Sequence, residues 1–119
     1  MYKKRKIENY LVDIKEKIAK IKSKSKDKKL QDFLEDEDLE IIVEHSLMII
    51  GEALSKIPQE VLLKYYDNSS YWRQIKDMRN LLVHQYWGVS IDMVFYVATK
   101  KIDELEIYID KIIIGENIQ

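Results

Sequence analysis

Ile7, Leu11, Ile14, Ile18 and Ile21 recur at intervals of four, three, four and three residues, which lays one narrow apolar stripe along an α-helix. The stripe gives out in the run from Lys22 to Lys29, where like charges and serines offer no apolar face, predicting a helix end and a mobile connection. From Leu39 to Ile57 the chain is apolar on more than one side, through Ile41, Ile42, Val43, Leu47, Met48, Ile49, Ile50, Ala53 and Leu54. That pattern predicts a central, well-buried helix. Asp36, Glu37 and Asp38 stand where a helix N-terminus favours negative charge, and Pro58 stops the helix before a short helical piece from Gln59 to Tyr66. Asp67, Asn68, Ser69 and Ser70 form a loop able to cap the next helix. Trp72, Ile75, Met78 and Leu82 are the apolar stripe of that third long helix, ended or bent at Gly88. Ser90 caps the last one, whose Ile91, Val94, Ala98, Ile102, Leu105, Ile109 and Ile112 keep helical spacing until Gly115. No strand pattern, repeat or linker interrupts the series. The expected fold is all-α, an up-and-down bundle of four to five helices forming one domain over residues 1–119.

Composition agrees and narrows the function. Apolar residues are 46% of the 119 and charged residues 34%, with three glycines and one proline, which favours long helices over a turn-rich β fold. A chain of this size builds a modest core and is short for a self-sufficient catalytic cleft, so a second subunit is expected to complete one. There is no cysteine, hence no disulfide framework and no thiolate metal site. The two histidines, His45 and His84, lie far apart in sequence, so no zinc site and no cofactor are expected. No continuous apolar stretch follows the charges from Lys3 to Lys6, and the expectation is a cytoplasmic chain without signal peptide or membrane span. The net charge of −1 hides an asymmetry: residues 1–29 hold 12 Lys+Arg against 4 Asp+Glu, and residues 30–119 hold 8 against 17. A basic arm of that kind attracts RNA or an acidic partner, while the plainer reading is a set of solvated helix faces.

The candidate chemistry lies in Arg79, Asn80, Leu81, Leu82, Val83, His84, Gln85, Tyr86, an Arg-x4-His-x-Tyr string inside an apolar helical pattern. Arginine offers a fixed cation with a planar fork of donors suited to phosphate, and histidine moves a proton near neutral pH. Together they point to phosphodiester chemistry by acid, base and charge stabilisation. On an ideal helix Arg79 and Tyr86 differ by about 20°, whereas His84 lies about 140° from Arg79. One straight helix therefore cannot close the site. Either it loosens towards Gly88, or two copies of the motif face each other across a dimer axis, with the segment from Trp72 to Trp87 at or near the interface. The competing reading pairs Arg79 with a carboxylate such as Glu52 and leaves His84 an ordinary interfacial histidine, since an isolated Arg-x4-His is a weak string. His45, among Val43, Leu47 and Met48, reads as a satisfied histidine of the buried helix. Tyr65, Tyr66, Tyr71 and Trp72 could stack bases, but packing at bundle edges and dimer seams is the preferred reading.

The wider segment from Trp72 to Val89 resembles the signature helix of the HEPN domains, in particular their HepT-like branch. Met48, Ile49, Ile50, Gly51, Glu52, Ala53 is similar to that family's Ile-Ile-Gly-Glu-Ala stretch on the preceding long helix. The resemblance covers residues from about Phe33 to Ile113. It implies a helical bundle, a homodimer, and a metal-independent endoribonuclease in which Arg79 and His84 are the catalytic pair, with Asn80 the polar neighbour. By the same resemblance Tyr86 matches the tyrosine that an MntA-type nucleotidyltransferase antitoxin adenylylates to silence such toxins, and Glu52 is a candidate partner for the arginine. Gln85 departs from the pattern, standing where glycine is frequent. The implied partners are an RNA substrate (tRNA or mRNA), that antitoxin and a second copy of the chain, with neither DNA nor membrane. The alternative is a non-catalytic helical module that presents nucleotide or substrate to an adjoining nucleotidyltransferase.

Overall fold

The computed structural model describes residues 4–83 and 90–118. Helix α1 spans Lys4–Ser25, and Ile7, Leu11, Ile14, Ile18 and Ile21 are all buried, as their spacing predicts. The helix nevertheless outlasts the predicted end at Lys22 by about a turn. It stops at Asp27, whose φ of 59° reverses the chain while the Lys28 N–H donates to the Ser25 carbonyl at 3.0 Å. The reason is tertiary. Lys22 reaches Glu106 at 2.7 Å and Asp103 at 3.4 Å, so part of the positive charge in that run finds partners on a distant helix.

A short helix that periodicity did not predict, α2 (Leu30–Glu35), turns the chain towards the third element. Its start is fixed by the Lys29 N–H, which donates to Asp32 Oδ2 at 2.7 Å. Phe33, its one buried residue, meets Phe95 edge to face with ring centroids 5.2 Å apart. Helix α3 (Glu37–Lys56) begins where the acidic cluster predicts, with the Asp36 side chain accepting from the Leu39 N–H at 3.1 Å. It ends before Pro58. Helix α4 (Gln59–Tyr65) leads to α5 (Ser69–Val83), where the Asn68 side chain accepts from the Tyr71 N–H at 3.1 Å.

The last rod consists of α6 (Ile91–Tyr96), a π turn over Val97–Lys101 and α7 (Ile102–Gly115), continuous in one direction. The Ser90 side chain caps it, accepting from the Met93 N–H at 3.2 Å. Helix α3 holds a central position, packed against α1, α2, α5 and α6. Lys15 pairs with Glu106 and Asp110, and Lys22 with Glu106 and Asp103, so α1 and α7 run antiparallel. These ammonium groups, Lys22 foremost, hold the Glu106 carboxyl below the usual carboxylate range. Among the described residues, the long rods α1, α3, α5 and α6–α7, with the short α2 and α4, make an all-α up-and-down bundle that contains no strand. No helix among them is long and apolar enough to cross a membrane.

Two polar ties close the lower end of the bundle. Trp72 is fully buried, yet its indole N–H is satisfied by the Tyr66 carbonyl at 2.9 Å. Glu116, also buried, accepts from Lys64 at 2.8 Å and from the Tyr65 hydroxyl at 2.6 Å. The second tie fastens α4 to the end of α7.

Candidate functional site

Arg79 lies on α5 directly against Gly51 of α3, and that glycine sets how close the two helices come there. A Cβ added to Gly51 would stand 2.5 Å from the Arg79 Cβ and 3.4 Å from its Cα, well inside van der Waals contact. The absence of a side chain at Gly51 therefore lets α5 settle against α3, with Glu52 beside the arginine. The Arg79 Nε forms an ion pair with Glu52 Oε2 at 2.8 Å, and its Nη1 donates to Asn80 Oδ1 at 3.1 Å. Lys56 stands 4.0 Å from the other Glu52 oxygen.

Both partners of the ion pair are open to water, with side-chain exposures of 37% for Arg79 and 48% for Glu52. Pairs this exposed typically add about 0–1 kcal/mol to stability. Their main physical effect is to aim a guanidinium. Of its five N–H donors, one goes to Glu52 and one to Asn80, and among the described residues none of the Nη2 donors has a protein partner. A planar guanidinium anchored at Nε and Nη1 with its Nη2 donors open is suited to a phosphoryl oxygen.

Three of the five residues singled out from the sequence, Arg79, Asn80 and Glu52, are thus brought together. His84 and Tyr86, with the neighbouring Gln85 and Gly88, lie outside the described residues. His45 does not belong to the core, contrary to expectation: it is exposed. The buried side of α3 is formed by Leu39, Val43, Leu47, Ile50 and Leu54, and His45 falls on the opposite side with Ile41, Met48 and Glu52, all within about 60° of one another. That outer face carries Ile41, 51% exposed, about three turns before Glu52. Trp72 and its aromatic neighbours serve packing, as preferred: Tyr66 and Tyr108 stack at 4.3 Å between centroids, and Tyr71 and Trp72 meet them edge-on.

Two cations that sequence reasoning gave no role lie on the same helix. Arg73 and Lys76 precede Arg79 at three-residue steps and, with Gln59 and Ser69, line a surface groove of about 230 Å³. Lys76 donates to Gln59 Oε1 at 3.0 Å, and partial burial lowers its pKa. The signal for them was the spacing of positive charge along α5, which reads as an ordinary solvated face until the groove is seen.

The family model described as Ribonuclease HepT-like matches residues 14–112. A protein named Probable ribonuclease HepT, from Thermococcus cleftensis, is 33% identical over 103 residues, covering 87% of this chain and 92% of that one. A protein of Methanocaldococcus jannaschii provisionally named RNase MJ1216 is 33% identical over 110 residues, covering 92% of this chain and 89% of its own. A third, from the same organism, is named as a gamma-glutamylcyclotransferase and provisional RNase, MJ0434; it is 36% identical over 103 residues, and the match covers 87% of this chain but 46% of that longer protein. No solved structure matches the chain. With the Gly51 to Glu52 step of α3 set against Arg79 of α5 and a family match running through most of the bundle, the chain belongs to the Ribonuclease HepT-like family.

Proposed function

We propose that this protein is a metal-independent endoribonuclease, the toxin of a two-gene HEPN and nucleotidyltransferase pair, acting on tRNA or mRNA as a homodimer. The observation that carries the reading is Arg79, held at its Nε by Glu52 and offering its outer N–H donors to solvent, in a chain of the Ribonuclease HepT-like family. The reaction needs no protein nucleophile. The ribose 2′-hydroxyl attacks the adjoining phosphorus, the new O–P bond forms, and the bond to the 5′-oxygen breaks. His84 takes the 2′ proton and returns one to the leaving 5′-oxygen, a contribution of typically about 10² to 10⁴ in rate. Arg79 bears the charge that builds on the non-bridging oxygens. The products are a 2′,3′-cyclic phosphate end and a 5′-hydroxyl end.

The dimer reading is supported by the outer face of α3, where Ile41 and Met48 share a side with Glu52 and remain partly open to solvent. A second copy covering that face would bring another Arg-x4-His motif to the same seam. Silencing follows from Tyr86. A partner nucleotidyltransferase moves AMP from a nucleoside triphosphate to the tyrosine oxygen with loss of pyrophosphate, placing bulk and negative charge beside the catalytic pair. Co-expression with the partner and intact-mass measurement test this: AMP is expected on Tyr86, and Tyr86→Phe is expected to stay active and escape silencing. AMP on another residue, or full silencing of an active Tyr86→Phe protein, contradicts it.

One observation favours the alternative, a non-catalytic helical partner that presents nucleotide or substrate to the transferase. Arg79 already has two protein acceptors, the bonding of a structural arginine. Under that reading no preparation of the protein cleaves RNA, and Arg79→Ala changes stability alone.

A further inference from the structure

The apolar stripe of α1 continues past Ile21, and the next position on that face is Ser25. Ser25 is 6% exposed, and its hydroxyl is shielded from solvent without a hydrogen-bond partner among the described residues. A donor left so typically costs about 1–3 kcal/mol, and native folds keep very few of them. Ser25 lies on the wall of a groove of about 520 Å³ between the last turn of α1 and the π turn of the final rod. Lys22, Lys26 and Lys28 line it too, as do the carboxylates of Asp27 and Asp103.

The charges there are unequally committed. Asp103 is taken by Lys22, which also binds Glu106. No carboxylate among the described residues lies within ion-pair reach of Lys26 or Lys28, which leaves two ammonium groups against Asp27. The left-handed turn at Asp27 folds the backbone of Lys28 back against the helix end, and Lys26 and Lys28 line the same groove as Ser25.

We propose that this groove is a second RNA site, in which a backbone phosphate accepts from the Ser25 hydroxyl and the strand's phosphates pair with Lys26 and Lys28. The assignment rests on the ribonuclease reading for its ligand class and adds a place where a longer strand is held. A phosphodiester strand fits better than an acidic protein surface, because the single buried donor suits a single non-bridging oxygen and the two lysines on the groove suit its phosphate and the next.

The test measures binding of a single-stranded 2′-O-methyl oligonucleotide, which lacks the attacking hydroxyl, by fluorescence anisotropy over a range of salt. Lys26→Ala with Lys28→Ala is expected to weaken binding by about tenfold or more at low salt and to reduce the slope of log affinity on log salt by about 1.4, two phosphate contacts at about 0.7 each. Ser25→Ala is expected to weaken binding while holding or raising Tm, because it removes an unsatisfied hydroxyl from the interior. Cleavage of a dinucleotide, too short to span both sites, stays unchanged in all these variants. Unchanged oligonucleotide affinity and slope in the double variant overturn the proposal, even where dinucleotide cleavage upholds the ribonuclease reading. Loss of oligonucleotide binding in the variants of a protein that cleaves no RNA would uphold the groove and refute the enzyme. Wild type that fails to bind the oligonucleotide, or variants that lose only polyglutamate binding, also overturn it.

Discussion

Glu52 decides where the Arg79 guanidinium points, and its effect should be separable from any effect on folding. With the pair this open to water, Glu52→Ala is expected to lower Tm very little. It should lower kcat by about tenfold, equivalent to ~1.4 kcal/mol of transition-state stabilisation, with KM nearly unchanged and partial rescue by Glu52→Gln, which keeps an acceptor. Steady-state kinetics on a short RNA and thermal melts check both halves. A second acidic residue on α3 predicts a pH effect. Burial, with the charge of Glu40 one turn away, raises the Glu44 carboxyl from its ordinary 4.5 to about 7. The folded state therefore binds a proton more tightly than the unfolded chain, and this residue's contribution to stability is greatest below about pH 4.5 and is lost as pH rises through about 7. Glu44→Gln should remove that decline, so melts of the variant and of wild type should diverge progressively between those two pH values. Parallel curves would contradict the assignment.

At the scale of elements, the contact of α3 with α5 is the one that positions the candidate site. Gly51→Ala would force a methyl group to 2.5 Å from the Arg79 Cβ, and neither atom is the free end of a flexible side chain. The helices must part, with an expected loss of about 1–3 kcal/mol in denaturant unfolding and a drop in activity from the displaced arginine. The Ile-Ile-Gly-Glu-Ala-like stretch made this glycine visible in the sequence, but its reason appears only once the opposing helix is in place. Helices α1, α3, α5 and the final rod were legible because each packs a long apolar stripe against the core. Helix α2 was not, since six residues with the single anchor Phe33 carry no period to read. Nor was the π turn. Val94, Ala98 and Ile102 are all buried at spacings of four and four, eight residues that would drift about 80° on a regular α-helix, and the wider π turn brings them back to one face. The extension of α1 through Ser25 depended on Asp103 and Glu106, some eighty residues away in sequence, which no local pattern contains. In the candidate site the pairing of Arg79 with Glu52 was anticipated both by the family resemblance and by the plainer structural reading, so the bond by itself does not choose between them.

For the whole molecule, the proposed dimer gives a concrete mass. Light scattering at micromolar concentration is expected to return twice the 14.3 kDa of the chain, and Ile41→Asp, on the partly exposed face of α3, should shift the population towards monomer with its helical circular dichroism intact. A stable monomer that still cleaves RNA would refute the shared site. RNA cleavage by an arginine and a histidine without a metal underlies the silencing and the shared site alike, and end-group analysis of RNA incubated with the purified protein in excess EDTA tests it directly. Wild type is expected to leave 2′,3′-cyclic phosphate and 5′-hydroxyl ends, and Arg79→Ala and His84→Ala proteins that retain their helical spectrum are expected to lose most of the cleavage. Cleavage that vanishes in EDTA and returns with a divalent ion, or that persists undiminished in both variants, would contradict it.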